Sequence, residues 1–135
     1  MFTKEMPKTI SKMYDVVNKI EAVFGKDFAV EKESKQGEAS LFLKNHDDEK
    51  LLYAGFRYSL YQCTQNWFWF GVGLDWNEKI VDAFKQRHEN VFIQFENFLL
   101  CPVSEDVLGK ENFLEETAKI IGEELKALKA GKADS

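Results

Sequence analysis

The chain has 135 residues, a net charge of −5, 44% hydrophobic and 30% charged residues. That suffices for one folded domain with a real core and excludes a disordered chain. No apolar run reaches the ~18–20 residues of a membrane span, and the start MFTKEMPKT lacks the sections of a secretory signal, so a cytoplasmic protein is expected.

Residues 1–66 balance ten basic against ten acidic side chains, whereas residues 67–135 carry eight basic and thirteen acidic ones. An acidic half repels a phosphate backbone, which argues against nucleic acid as the partner. Cys63 and Cys101 lie within or beside apolar segments and are expected as buried free thiols.

In chain order, Ile10, Met13, Tyr14, Val17, Ile20 and Phe24 fall at helical spacing and predict a helix over 8–24, with Gly25 suited to a left-handed end. Phe28–Lys32 and Ala39–Lys44 read as short strands joined around Gly37, and His46-Asp47-Asp48-Glu49 as a charged turn. Leu51–Gln62 and Trp67–Leu74 read as a hairpin closed by Cys63–Asn66. Asp75 and Glu78 have capping-box spacing, so a helix should start at Trp76 and run to the region of Arg87 and His88. Val91–Phe95 and Phe98–Val103 form either a tight hairpin or one bulged strand, with Pro102 marking an edge or strand end. Residues 104–109 read as a connecting turn. Phe113, Leu114, Thr117, Ile121, Leu125 and Leu128 stripe a last helix over 111–129, with Glu115 and Lys119 as an i,i+4 pair. Residues 1–7 and 130–135 are expected to fray. The order implies a single α+β domain spanning 1–135 with a mainly antiparallel sheet.

The central stretch 51–76 holds nine of the nineteen aromatic residues and all three tryptophans, so the sheet is organised around it. Alternation gives it a core face of Leu52, Ala54, Phe56, Tyr58, Leu60, Phe68, Phe70, Val72 and Leu74. The opposite face carries Tyr53, Gly55, Arg57, Ser59, Tyr61, Trp67, Trp69, Gly71 and Gly73. Glycines grouped on one face mean that something approaches the backbone there. Trp, Tyr and Arg dominate binding hot spots, so Tyr53, Arg57, Tyr61, Trp67 and Trp69 are the candidate surface for a protein partner, unless a helix covers that face. A small-ligand pocket between this face and a helix is a further possibility. Arg57 is the only cation between Leu51 and Lys79, too few for tracking a nucleic acid.

Catalytic and cofactor motifs are sparse. Cys63, His88 and Cys101 are too scattered for a zinc site, and no metal or other cofactor is expected. There is no Gly-x-Ser-x-Gly, and Gly71-Val-Gly73 lacks the remainder of a phosphate loop. Asp27, Glu33 and Lys35 are the one catalytic candidate: Glu33-Ser-Lys35 with an upstream carboxylate resembles the metal-binding set of PD-(D/E)XK nucleases, which implies carboxylates on Mg²⁺ and a water-orienting lysine. The departures are the missing Pro-Asp and the placing of Asp27 and Glu33 on one strand. In size, acidity and element order the chain is also similar to secretion chaperones, and in size and acidity to inhibitor and immunity proteins. Those likenesses imply a non-enzymatic protein binder.

Overall fold

The computed structural model describes residues 6–35 and 37–133. Of the ends expected to fray, 1–7 and 130–135, residues 1–5 and 134–135 lie outside the described residues, whereas 6–7 and 130–133 are helical. The chain is a single α+β domain built from one six-stranded sheet and five helices among the described residues. Among the described residues no helix is long and apolar enough to cross a membrane.

Helix α1 (Met6–Phe24) lays Met13, Val17 and Ile20 on the core, as the spacing predicts. It ends at Gly25, whose N–H donates to the Glu21 carbonyl at 2.8 Å. Gly25 does not enter the left-handed region; Gly37, at φ 75°, is the glycine that does. Strands β1 (Ala29–Lys35), β2 (Glu38–Lys44) and β3 (Lys50–Arg57) then pair antiparallel in sequence. Asn45 organises the charged turn between β2 and β3, its side-chain oxygen accepting from the N–H groups of Asp47 and Glu49.

The expected strand 51–62 is two elements. β3 stops at Arg57, and Tyr58–Thr64 forms a short helix, α2, ended by Gln65 in the left-handed conformation. Tyr58, Leu60, Tyr61 and Thr64 satisfy both readings: alternation joins 58 to 60, while helical steps join 58 to 61 and 60 to 64. The helix wins locally because the Tyr58 N–H is taken by the Gly37 carbonyl at 2.7 Å and the Thr64 hydroxyl donates to the Leu60 carbonyl at 2.8 Å.

Strand β4 (Phe68–Gly73) returns beside β3, and α3 (Glu78–Arg87) follows. Asn77, not Asp75, caps α3 by accepting from the Lys79 N–H; Asp75 instead accepts from the Asn97 amide. The 91–103 segment is a hairpin, β5 (Ile93–Phe95) and β6 (Phe98–Val103), turning at Glu96-Asn97. Pro102 lies beyond the reach of β5, where its missing N–H costs that side of the ladder nothing. The 104–109 turn contains a short helix, α4 (Glu105–Leu108), capped by Ser104. Helix α5 (Phe113–Ala133) ends the described chain. Glu115, expected to pair with Lys119, lies 3.8 Å from Lys19 of α1.

The sheet order is β1-β2-β3-β4-β6-β5. Its first face packs Leu41, Leu52, Phe56, Phe68, Phe70 and Leu99 against α1, α3 and α5. The second face carries a smaller cluster: Phe42, Tyr53, Trp69, Leu100 and, from α2, Leu60.

Candidate interaction surface

The five aromatic and arginine residues expected on one surface are distributed over three environments. Tyr53 and Trp69 belong to the second-face cluster and are only 4% and 2% exposed. Neither offers contact area to a partner in this conformation. The Tyr53 ring lies 5.2 Å from that of Phe98 and 5.5 Å from that of Phe42, and among the described residues its buried hydroxyl has no hydrogen-bond partner. Burial raises the pKa of that hydroxyl above the ordinary tyrosine range. The Trp69 indole N–H donates to the Asn66 carbonyl at 3.2 Å.

What approaches the three glycines is the protein itself. A Cβ on Gly55 would lie 2.3 Å from the Ser40 Cβ, and one on Gly73 would lie 2.3 Å from the Trp76 indole nitrogen. At Gly71 the conflict is with backbone, 1.9 Å from the Leu99 carbonyl oxygen. The cover over this face comes from the side chains of the sheet, α2 and the β5–β6 hairpin rather than from a long helix.

Arg57 is partly buried and already committed. Its two terminal nitrogens each donate at 3.1 Å to one oxygen of Glu96, its Nε lies 3.8 Å from Glu38, and its guanidinium carbon is 5.3 Å from the Phe95 ring centre. A fork used this way does not reach for a partner.

Tyr61 and Trp67 form the third environment. Trp67 precedes β4, so strand alternation does not govern it, and it turns to the side opposite Trp69. There it stacks between Tyr61, with ring centres 3.9 Å apart, and Phe56, 5.5 Å away. Trp67 and Tyr61 are both half-buried. Trp67 also walls an open cleft of about 260 Å³ shared by α1 and α4, with Met13 and Leu108 at its apolar side and Lys12 and Glu105 as its charged side chains.

The nuclease-like set is spread along one edge. Asp27 lies in the turn before β1, and Glu33 and Lys35 lie within that edge strand. Four extended residues from Ala29 to Glu33 already span roughly 13 Å, whereas carboxylates sharing a cation each approach it to about 2.0–2.6 Å. Among the described residues no group of three His, Cys, Asp or Glu side chains converges to hold a metal.

One polar cluster was not legible in the sequence. Glu124 of α5 is 2% exposed at its side chain and receives Arg87 at 2.9 Å and His88 in a close contact, joining α5 to the end of α3. Burial works against the Glu124 charge, but the hydrogen bonds from His88 and Arg87 outweigh it and hold the carboxyl below the ordinary glutamate range. Cys101 is buried, and burial, aided by the Glu124 charge, pushes its thiol up to about 12. Cys63, expected as a buried thiol in the loop closing the hairpin, is exposed: it lies in α2, whose buried residue is Leu60. No protein-family model, curated protein or solved structure matches this chain.

Proposed function

We propose that the chain is a non-enzymatic protein-binding domain whose partner contact is the corner formed by Tyr61, Trp67 and the adjoining cleft. One observation carries this reading: a half-buried tryptophan, held rigid between two rings, lines a cleft with an apolar wall. Aromatic anchors already ordered before binding lose little entropy on contact, and Trp and Tyr are enriched among the residues that dominate interfaces. The cleft, about 260 Å³, lies below the ~300–1,000 Å³ of typical ligand pockets. That size favours an apolar side chain of a protein partner over a free small molecule. The acidic second half of the chain would steer a basic partner.

The compartment consistent with this reading is the cytoplasm, since an exposed Cys63 without a disulfide partner fits a reducing environment. The test is affinity capture from the source cells with the wild-type chain, Trp67→Ala and Glu105→Lys, each first checked for an unchanged urea midpoint. Glu105→Lys alters the cleft but leaves the aromatic stack intact. Loss of the same captured protein in both variants supports the corner; equal recovery from all three removes it.

A further inference from the structure

The β5–β6 turn and the end of β3 meet where a flat sheet would keep them far apart. Tyr53, Gly71 and Leu100 lie level across the sheet. Ile93 shares that level, so Arg57 is four residues away in one direction and Glu96 three residues away in the other. Seven residues of strand correspond to about 23 Å, yet the side chains of Arg57 and Glu96 meet at 3.1 Å through both nitrogens. The hairpin therefore curls back over the second face, which the bare backbones of Gly71 and Gly73 permit. Its inner side carries Phe95 beneath Arg57, and Phe98 against Tyr53, Phe42 and Trp76.

The inner strand of the hairpin is held by β4 up to the Gly73–Phe98 pair, and the Asn97 carbonyl accepts from the Leu74 N–H at 2.9 Å while the Asn97 amide donates to Asp75 at 3.1 Å. The outer strand β5 is an edge, paired with β6 over three residues. The outward residues Val91 and Ile93 are 59% and 36% exposed, and Glu96 sits at φ 53°, where a side chain costs energy. Segments with few buried contacts and exposed hydrogen bonds open at low cost relative to a sheet centre.

We propose that the β5–β6 turn is a lid over the aromatic second face, and that the Arg57–Glu96 fork is the latch setting how often it opens. This is independent of the binding corner at Trp67. Native-state amide exchange on the full chain tests it, comparing wild type with Glu96→Gln, Arg57→Gln and the double variant. Glu96 is exposed, so its substitution leaves the core intact. The Leu74 amide, which donates to Asn97, and the β5 amides should exchange about two- to fivefold faster in Glu96→Gln, the range open to an ion pair of this exposure. High salt should bring the wild type toward the variant, and the double variant should add little to either single one. Amides of Leu41 and Ala54 in the sheet centre should stay unchanged. An unchanged Leu74 rate, or a speed-up shared equally by Leu41 and Ala54, overturns the latch.

Discussion

The Glu124 cluster sets up a sharp asymmetry between removing the buried anion and removing its hydrogen-bond partners. Glu124 is the buried member, at 2% side-chain exposure, while His88 is at 18% and Arg87 at 43%. In Arg87→Ala/His88→Ala the carboxylate stays in the core with no counter-charge, and breaking a buried pair in this sense costs roughly 3–5 kcal/mol. Against a total stability on the order of 5–15 kcal/mol, that is a large share. In Glu124→Leu the buried charge itself disappears, Arg87 extends into water, and His88 keeps its rings against Phe70 and Phe84. The expected loss there is only about 0–2 kcal/mol.

Urea unfolding as a function of pH separates this electrostatic account from lost packing. The wild-type carboxyl is held below its unfolded value, so its contribution is present above the unfolded pKa of about 4.3 and fades as pH falls through the lower folded value. In the double variant only burial remains, which raises the folded pKa instead. Its penalty is then full at neutral pH and shrinks as the carboxyl protonates on acidification. The gap between wild type and double variant should therefore narrow markedly from pH 7 to pH 4. A gap independent of pH would refute the reasoning, since losing the imidazole from its aromatic neighbours has no such dependence; so would Glu124→Leu proving the more damaging change.

The glycines make a second contrast. Gly71→Ala drives a Cβ to 1.9 Å from the Leu99 oxygen and should cost about 3 kcal/mol or more by parting β4 from β6, whereas Gly122→Ala meets only the tip of the Phe24 ring at 3.2 Å and should be neutral or gain up to ~1 kcal/mol of helix propensity. Thermal melts of the two variants decide it, and equal destabilisation would show the β4–β6 approach to be looser than drawn. With a thiol reagent at mildly alkaline pH, Cys63 should react quickly and Cys101 only on unfolding, because Cys101 is buried with its thiol pushed up to about 12; two fast equivalents would contradict that burial.

The helices facing the core were legible because their apolar spacing is set by one face meeting one sheet, as Met13, Val17 and Ile20 on α1 and Ile121, Leu125 and Leu128 on α5 show. The first face of the sheet followed from alternation for the same reason, from Leu52 to Phe56 and Phe68 to Val72. Legibility fails where a segment serves two periods at once, as in Tyr58–Thr64, and where the chain leaves the ladder, as at Trp67. It fails again for polar pairs distant in sequence. Arg57 and Glu96 are 39 residues apart, Arg87 and Glu124 37, and no local pattern chooses those partners from many other charges.

Gly55, Gly71 and Gly73 read correctly as backbone that something approaches, but the sequence does not say what. A strand's nearest candidates are its own neighbours in the sheet, and here Ser40, Leu99 and Trp76 occupy the space before any partner can. That occupation allows the curl that brings Phe98 onto Tyr53 and Phe42, and the curl in turn buries the tyrosine and tryptophan that alternation placed on an open face. An aromatic residue inside a paired strand is thus claimed by the fold itself. Trp67, one residue short of β4, escapes that claim: its stack on Phe56 and Tyr61 fixes the ring while leaving it half-exposed beside the cleft. The ordered aromatic side chain that stays accessible is therefore the one just before the second strand, not those at the centre of the sheet.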